Sequence, residues 1–371
     1  FPEESGLDED DVLVLVGDIP LLRPDTVAAL VAHHRETDAA ATLLTTHLDD
    51  PTGYGRIVRD ARGGVARIVE QADATDEERA ITEVNPAIYC FRRSLLAPAL
   101  RRLTPANAQG EYYLTDVIAV LRDAGHTVAA IAVDDPFECM GVNDRAQLAL
   151  AEAALRERIN TAWMRAGVTM VDPRTTYIDT EVVLEADVRI LPNTVLEGRT
   201  TIASGAVVGP DTRLVDTAVG ADATVTYTVA RSSVIGAGCT VGPYVSLRPD
   251  TRLADGAHVG TFVETKNAEI GEGAKVPHLA YLGDATIGAR ANVGAGTITA
   301  NYDGRAKHRT EIGADARIGS NTVLRAPVRV GDGAYTGAGS VVTHDVPPGA
   351  LAKGVPAEID EGWADRLDEG K

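Results

Sequence analysis

Of the histidines in the second half of the chain, His258, His278 and His308 lie closest together in sequence. A neutral imidazole titrates near physiological pH and is well suited to take a proton from an attacking nucleophile. By residue type the three are equal, and a lone histidine is more often a surface or packing residue than a catalytic base. In the first half, Asp18 follows the apolar run VLVLV at 12–16, directly after Gly17. A carboxylate at the C-terminal end of a strand lies where α/β sheets bind ligands, and its hard oxygen donors suit Mg2+. Cys90, Cys139 and Cys239 are far apart with no CxxC spacing. They predict neither a disulfide framework nor a zinc site, and they fit a reducing cytoplasm.

Composition narrows the partners. The formal charge is −19 over 371 residues, which argues against nucleic acid, because a phosphate backbone needs a basic face. Small anionic substrates remain open, since a few focused Lys and Arg residues suffice to hold them. No apolar run approaches the roughly 20 residues of a membrane span. The start, Phe1-Pro2-Glu3-Glu4, has no Met, no basic stretch and no signal-type segment, and leads straight into a strand-like run. A chain whose beginning has been cut away reads this way.

Two periodicities position these residues. Up to about residue 165, strand and helix patterns alternate. The run at 12–16 reads as a strand buried on both faces. A helix opens on Pro24 and covers 24–36. Further strands are expected at 40–46, 56–59, 65–70, 87–91 and 128–133, and helices at 111–124 and 143–165. This alternation predicts a mostly parallel α/β sheet. Aromatic residues are only 4% of the chain, so its cores must be built from aliphatic side chains.

Beyond about residue 170 the period becomes six. Ile178, Leu184, Ile190, Leu196, Ile202, Val208 and Leu214 follow one another at that spacing, and the series returns at Ile235, Val241, Leu247, Leu253 and Val259. It continues through Ile270, Val276 and Leu282, then Ile312, Ile318, Leu324 and Val330. Six matches neither a helix nor a two-residue alternation. It predicts a solenoid with three flat sides per coil and the aliphatic residue turned inward. The segment GAGTITANYDGRAKHRTE after Val293 is too long for one side and should be extruded as a loop from one corner, where function concentrates.

The segments HVGTFVETKNAEIGEGAKVPHLAYLGD at 258–284 and IGARANVGAGTITANYDGRAKH after it resemble a specific bacterial family. That family joins glucosamine-1-phosphate N-acetyltransferase to N-acetylglucosamine-1-phosphate uridylyltransferase. VGDIPLL at 16–22, GYGRIV at 53–58, VEQADA at 69–74, NAQGEYYLTDVI at 107–118 and GVNDR at 141–145 are similar to its uridylyltransferase half. The resemblance implies a Rossmann-like nucleotidyltransferase domain at 1–142, a linker helix at 143–167 and a left-handed parallel β-helix at 168–371. It also departs from the family. Ala72 replaces a usual Lys, Pro86 and Ala87 replace a Thr-Gly or Ser-Gly pair, and the family's opening Gly-rich loop with its Arg and Lys is not found before Phe1. A uridylyltransferase site defective on its triphosphate side is therefore expected.

Residue by residue, the resemblance implies His278 as general base, with Arg248, Lys266, Tyr281, Asn292 and Lys307 holding glucosamine 1-phosphate. Ala295, Asn301, Tyr302, Ser320 and Ala338 match acetyl-CoA positions, and Lys353-Gly354 stand where the family has a basic residue near its end. Gly55, Glu70, Asn85 and Asn143 match positions touching the UDP-sugar, and Asp18 with Asn143 match ligands of Mg2+. A cytoplasmic homotrimer with sites shared between neighbouring solenoids is implied, using acetyl-CoA, UTP and UDP-N-acetylglucosamine. Two other readings stay open. One is a sugar nucleotidyltransferase whose β-helix is structural or regulatory. The other is a zinc-dependent hydratase resembling the γ-class carbonic anhydrases, for which the three histidines lack that class's closely spaced pair.

Overall fold

The computed structural model describes residues 10–354. The chain divides into two compact units, one ending at Leu155 and the other beginning at Arg156. That boundary falls inside the helix expected at 143–167, found at Arg145–Arg165. Among the described residues no helix is long and apolar enough to cross a membrane.

The first unit contains β1 (Asp11–Val14), α1 (Pro24–Glu36), β2 (Ala41–His47), β3 (Gly55–Arg59), β4 (Val65–Val69), α2 (Asp76–Arg79), β5 (Glu83–Asn85), β6 (Tyr89–Arg92), α3 (Arg93–Leu100), α4 (Asp116–Asp123) and β7 (Val128–Val133). Helix α1 begins on Pro24, whose fixed φ and missing N–H are tolerated at a first turn. In β2, Leu43 and Leu44 are both fully buried. Because successive strand side chains point to opposite faces, one joins the cluster with Phe91, Ile118 and Leu121, and the other joins Leu30 of α1 and Ile88. Helices therefore cover both faces of β2.

Two expectations need correction. The sheet runs β1-β6-β2-β5-β3-β4, with β7 beside β2, and among this sheet's described strands only the β2–β7 pairing is parallel. The connection from β3 to β4 is a tight turn around Asp60, whose carboxylate accepts from Arg62 N and Gly64 N. So short a link permits only an antiparallel hairpin, whereas parallel neighbours need a long crossover. The run at 12–16 is also not buried on both faces. β1 ends the sheet path, and Leu13 and Leu15 are 38% and 48% exposed.

The second unit is a parallel β-solenoid. Strand partners repeat along the chain, as in Leu184↔Ile202 and Leu196↔Leu214, each a step of 18 residues. The strands Glu264–Ile270 and Tyr281–Ile287 each run across a corner, pairing with two successive flat sides. A separate eleven-strand ladder forms the third side. Every aliphatic residue of the six-residue series is buried, from Ile178 at 6% to Leu324 at 0%. A second inward column is small: Ala206, Ala223, Cys239, Ala257, Ala274 and Ala291. Cys239 takes an alanine's place there, as a small apolar side chain. Asn160 closes one end, its amide donating to Pro173 O and Thr176 O.

Other coils step by 16 or 17 residues, as in Leu214↔Ala230 and Ile202↔Val219, and one is much longer. Ile287 pairs with Ile312 and Thr299 with Leu324, each 25 residues on, whereas Ile312 pairs with Val330 after 18. The extra residues leave between the strands Ile298–Ala300 and Thr310–Ile312, within the segment expected to be extruded.

Candidate functional site

Strand alternation turns Glu264 and Lys266 outward while Thr265 is buried, and does the same for Tyr281 beside Leu282. Lys266 lies opposite Gly283 and Glu264 opposite Tyr281 on the next coil. Arg248, on the preceding coil, pairs with Glu264 at 2.8 Å. The ring of Tyr281 leans along its strand. A Cβ added at Gly283 would lie 2.5 Å from Tyr281 Oη and 2.7 Å from Asn301 Nδ2, so only glycine admits both groups there.

The extruded loop closes over this patch. Asn301 Nδ2 donates to Asp284 Oδ2 at 2.5 Å, and Asn267 Nδ2 donates to Asp284 Oδ1 at 2.7 Å. Burial raises the Asp284 pKa, but these two donors and the charges of Lys307 and Lys266 outweigh it and hold the carboxyl below its ordinary value. The loop is folded on itself through Asp303, which accepts from Arg305 N, Ala306 N and His308 Nε2. Tyr302 and Lys307 form an antiparallel bridge across its neck. The Lys266 ammonium is pushed below its ordinary value first by the adjoining Lys307 ammonium and then by the charge of Arg248. Three cations thus meet on one face with the carboxylates of Glu264 and Asp284 beside them, and a bound anion would ease their remaining repulsion.

His278 stands at the end of another side, exposed and in register with Thr261. It is three residues before Tyr281, around the corner at Leu279. Its neighbours include His258, whose pKa is lowered by burial and by the charges of Lys275 and His278. Asn292 lies opposite Lys275 on the next coil, and extending that register brings Ala295 above His278. The column continues upward: Asn321 N donates to Ala295 O at 2.7 Å, and Gly339 N to Ser320 O at 2.8 Å. Ala295, Ser320 and Ala338 therefore stack on successive coils, with Lys353 over Gly337 beside them. Asn301 and Tyr302 belong to the loop at a different corner and are not part of this column. His258, His278 and His308 form no metal-donor cluster among the described residues; His308 is bound to Asp303 instead.

In the first unit a cleft of about 690 Å³ is lined by Asp18, Gly55, Glu70, Asn85 and Asn143 together with Tyr54, Pro86, Ala87 and Thr115. Thr115 Oγ1 donates to Glu70 Oε1 at 2.9 Å, and Asn85 Nδ2 to Tyr89 Oη at 2.7 Å. Burial pushes the Tyr89 phenol upward, keeping it neutral. A Cβ at Gly141 would lie 3.7 Å from Asp18 Oδ2 and 3.9 Å from Asn143 Nδ2, so carboxylate and amide flank one open spot. A carboxylate and an amide facing a cleft are a donor set that fits Mg2+, which completes its shell with water and phosphate oxygens. Ala87 has φ +60°, a left-handed conformation that glycine adopts without strain. This explains physically why a Gly is usual there in the resembled family.

Sequence reasoning passed over Asp284, Asn267, Glu264 and Thr115, which hold the site residues in place. Asp284 lies in the motif HLAYLGD, but its partners come from other coils and the loop.

A nucleotidyl transferase family model matches residues 3–164, and a bacterial transferase hexapeptide model of six repeats matches 309–344. The chain is 55% identical over 353 residues to the bifunctional protein GlmU of Pseudarthrobacter chlorophenolicus, covering 95% of this chain and 72% of that one. It is 54% identical over 360 residues to the bifunctional protein GlmU of Mycolicibacterium gilvum, covering 97% and 72%. To the protein of the same name from Streptomyces avermitilis it is 51% identical over 371 residues, covering 99% and 77%. With the two units in that order and identities this high along nearly its whole length, the chain belongs to the bifunctional GlmU family.

Proposed function

We propose that the chain transfers the acetyl group of acetyl-CoA to the amine of glucosamine 1-phosphate, and that its first unit carries the sugar and metal side of a site of the kind that uridylylates this product with UTP. The end product is UDP-N-acetylglucosamine, a precursor for cell-wall synthesis. The observation that carries this reading is the meeting of Arg248, Lys266 and Lys307 on one outward face of the solenoid. Glu264 and Asp284 offset part of the charge of the three cations; a sugar phosphate adds the dianion that suits the remainder, and its hydroxyls suit Tyr281 and Asn292.

His278 takes the proton that the substrate ammonium must lose before it attacks. The amine nitrogen then bonds to the thioester carbonyl carbon, and the tetrahedral intermediate collapses with departure of the CoA thiolate. A backbone N–H in the stretch Gly294-Ala295-Gly296 stabilises the oxyanion. Ala295, Ser320 and Ala338 line the run for acetyl-CoA, joined by Asn301 and Tyr302 of a loop. That loop and the His278 column occupy different corners of one solenoid, which favours a homotrimer whose neighbours complete each site.

In the cleft of the first unit, Gly55, Glu70, Asn85 and Asn143 receive the UDP-sugar. Asp18 and Asn143 would hold Mg2+, which offsets charge on the phosphoryl oxygens when bound. The setting is the cytoplasm, in keeping with three unpaired, buried cysteines. The test is release of free CoA from acetyl-CoA on addition of glucosamine 1-phosphate, with and without added metal. Release without metal is expected. No release, or release only with zinc, would overturn the reading.

A further inference from the structure

Away from both sites, three side chains of different chemistry meet beneath α1: Asp11 of β1, His34 of α1 and Cys90 of β6. Leu13 lies opposite Cys90 across the β1–β6 pair, so Asp11, two residues from Leu13, stands on the same face as Cys90. Thr42 of β2 lies opposite Cys90 on the other side. The donor atoms of Asp11, His34 and Cys90 all lie within 4.8 Å of one another. The three positions are scattered along the chain, so no spacing motif announces them.

His34 is 2% exposed and Cys90 0%. His34 Nδ1 is 2.9 Å from Thr42 Oγ1, but its Nε2 has no hydrogen-bond partner. Nε2 faces Asp11 Oδ1 at 3.4 Å, while Asp11 Oδ2 accepts from Arg35 Nε at 2.8 Å. One imidazole nitrogen, one carboxylate oxygen and one sulfur are thus close enough to share a single ion. A buried polar nitrogen left unpartnered is costly.

We propose that Asp11, His34 and Cys90 bind a divalent transition metal, Zn2+ first among them. In a tetrahedral zinc centre, nitrogen and oxygen ligands at roughly 2.0–2.1 Å from the ion stand about 3.4 Å apart. That is the spacing of His34 Nε2 and Asp11 Oδ1. Thr42 Oγ1 can accept from Nδ1–H and so hold the ring in the tautomer that leaves the Nε2 lone pair for the ion. A thiolate with an imidazole favours zinc over Mg2+, which prefers all-oxygen shells. Thiolate and carboxylate together balance the ion's two charges, and a water or another donor takes the fourth position. The ion ties β1 to α1 and β6, a structural role separate from the cleft at Asp18 and Asn143.

The rival is a buried His34–Asp11 ion pair with an unligated thiol beside it. The test strips the full chain with a chelator and titrates it with Co2+, reading the thiolate-to-cobalt absorption, then repeats the titration with Zn2+ by equilibrium dialysis. One ion per chain and a thiolate band are expected, with no competition from Mg2+. Cys90→Ser should abolish the band, Thr42→Val should weaken zinc binding roughly 10- to 100-fold, and Asp11→Asn should weaken it while keeping a band. A folded wild-type chain without the band would overturn the proposal. So would a band that persists in Cys90→Ser, or zinc affinity unchanged in both Thr42→Val and Asp11→Asn.

Discussion

Asn301 and Asp284 are joined by a 2.5 Å hydrogen bond that ties the root of the extruded loop to the coil before it. Asp284 also accepts from Asn267, so one carboxylate links three segments and fixes where Lys307 stands relative to Lys266. On the proposed reaction, Asp284→Ala should raise KM for glucosamine 1-phosphate by about tenfold, the loss of one charge-assisted hydrogen bond. The solenoid should stay folded, because its core is aliphatic. Steady-state kinetics with circular dichroism decide; an unchanged KM would show the anchor to be unimportant.

His278→Ala should lower kcat by roughly 10²–10⁴ while acetyl-CoA binding is retained. His258→Ala and His308→Ala should do much less. Chelators should leave acetyl transfer untouched while removing any metal-dependent nucleotidyl transfer. Full activity in His278→Ala, or acetyl transfer lost on chelation, would discard the assignment.

Lys266 and Lys307 repel each other in the absence of an anion. Lys266→Ala and Lys307→Ala should each raise KM for the sugar phosphate by roughly 10- to 100-fold without lowering the Tm of the free chain. Inorganic phosphate should protect the wild type against thermal unfolding more than either variant. Equal protection of all three would place the phosphate elsewhere.

His258 binds its proton less readily when folded than when unfolded, because it is partly buried beside Lys275 and His278. Below its ordinary pKa of 6.5, the unfolded chain takes up more protons than the folded one. Stability should therefore be unaffected by this group above that pH and fall as pH drops below it, until the folded pKa is passed. His258→Gln should flatten the acid side of the Tm–pH curve. A slope equal to that of the wild type would refute this.

Ala87 holds a left-handed conformation at the cleft wall. Relief of that strain, less the greater entropy of an unfolded glycine, should make Ala87→Gly more stable by about 0.5–1 kcal/mol. Denaturant melts read the change; a loss of stability would mean that the alanine methyl is better packed than its backbone is strained.

The six-residue series by itself determined the solenoid, because an inward side chain at each flat side leaves a periodic trace that needs no knowledge of neighbours. Helix α1 and most strands of the first unit were legible for the same local reason, from Pro24 and the apolar runs. Pairing direction was not. β3 and β4 form a hairpin and β1 lies at the end of the sheet path, which apolar runs cannot tell apart from a buried parallel strand. The motif likeness named the separate members of the candidate site. Only the tertiary structure decided which of them meet. Lys266 and Lys307 are brought together because coils stack at one strand spacing and a loop folds back over them. Ala295, Ser320 and Ala338 align because each coil pairs strand on strand with the next and so repeats its corners, even across the coil lengthened to 25. The role of Asp284, though it stands in a quoted motif, and the meeting of Asp11, His34 and Cys90 were not legible in the sequence, since their partners are set by packing across strands and coils rather than by spacing along the chain.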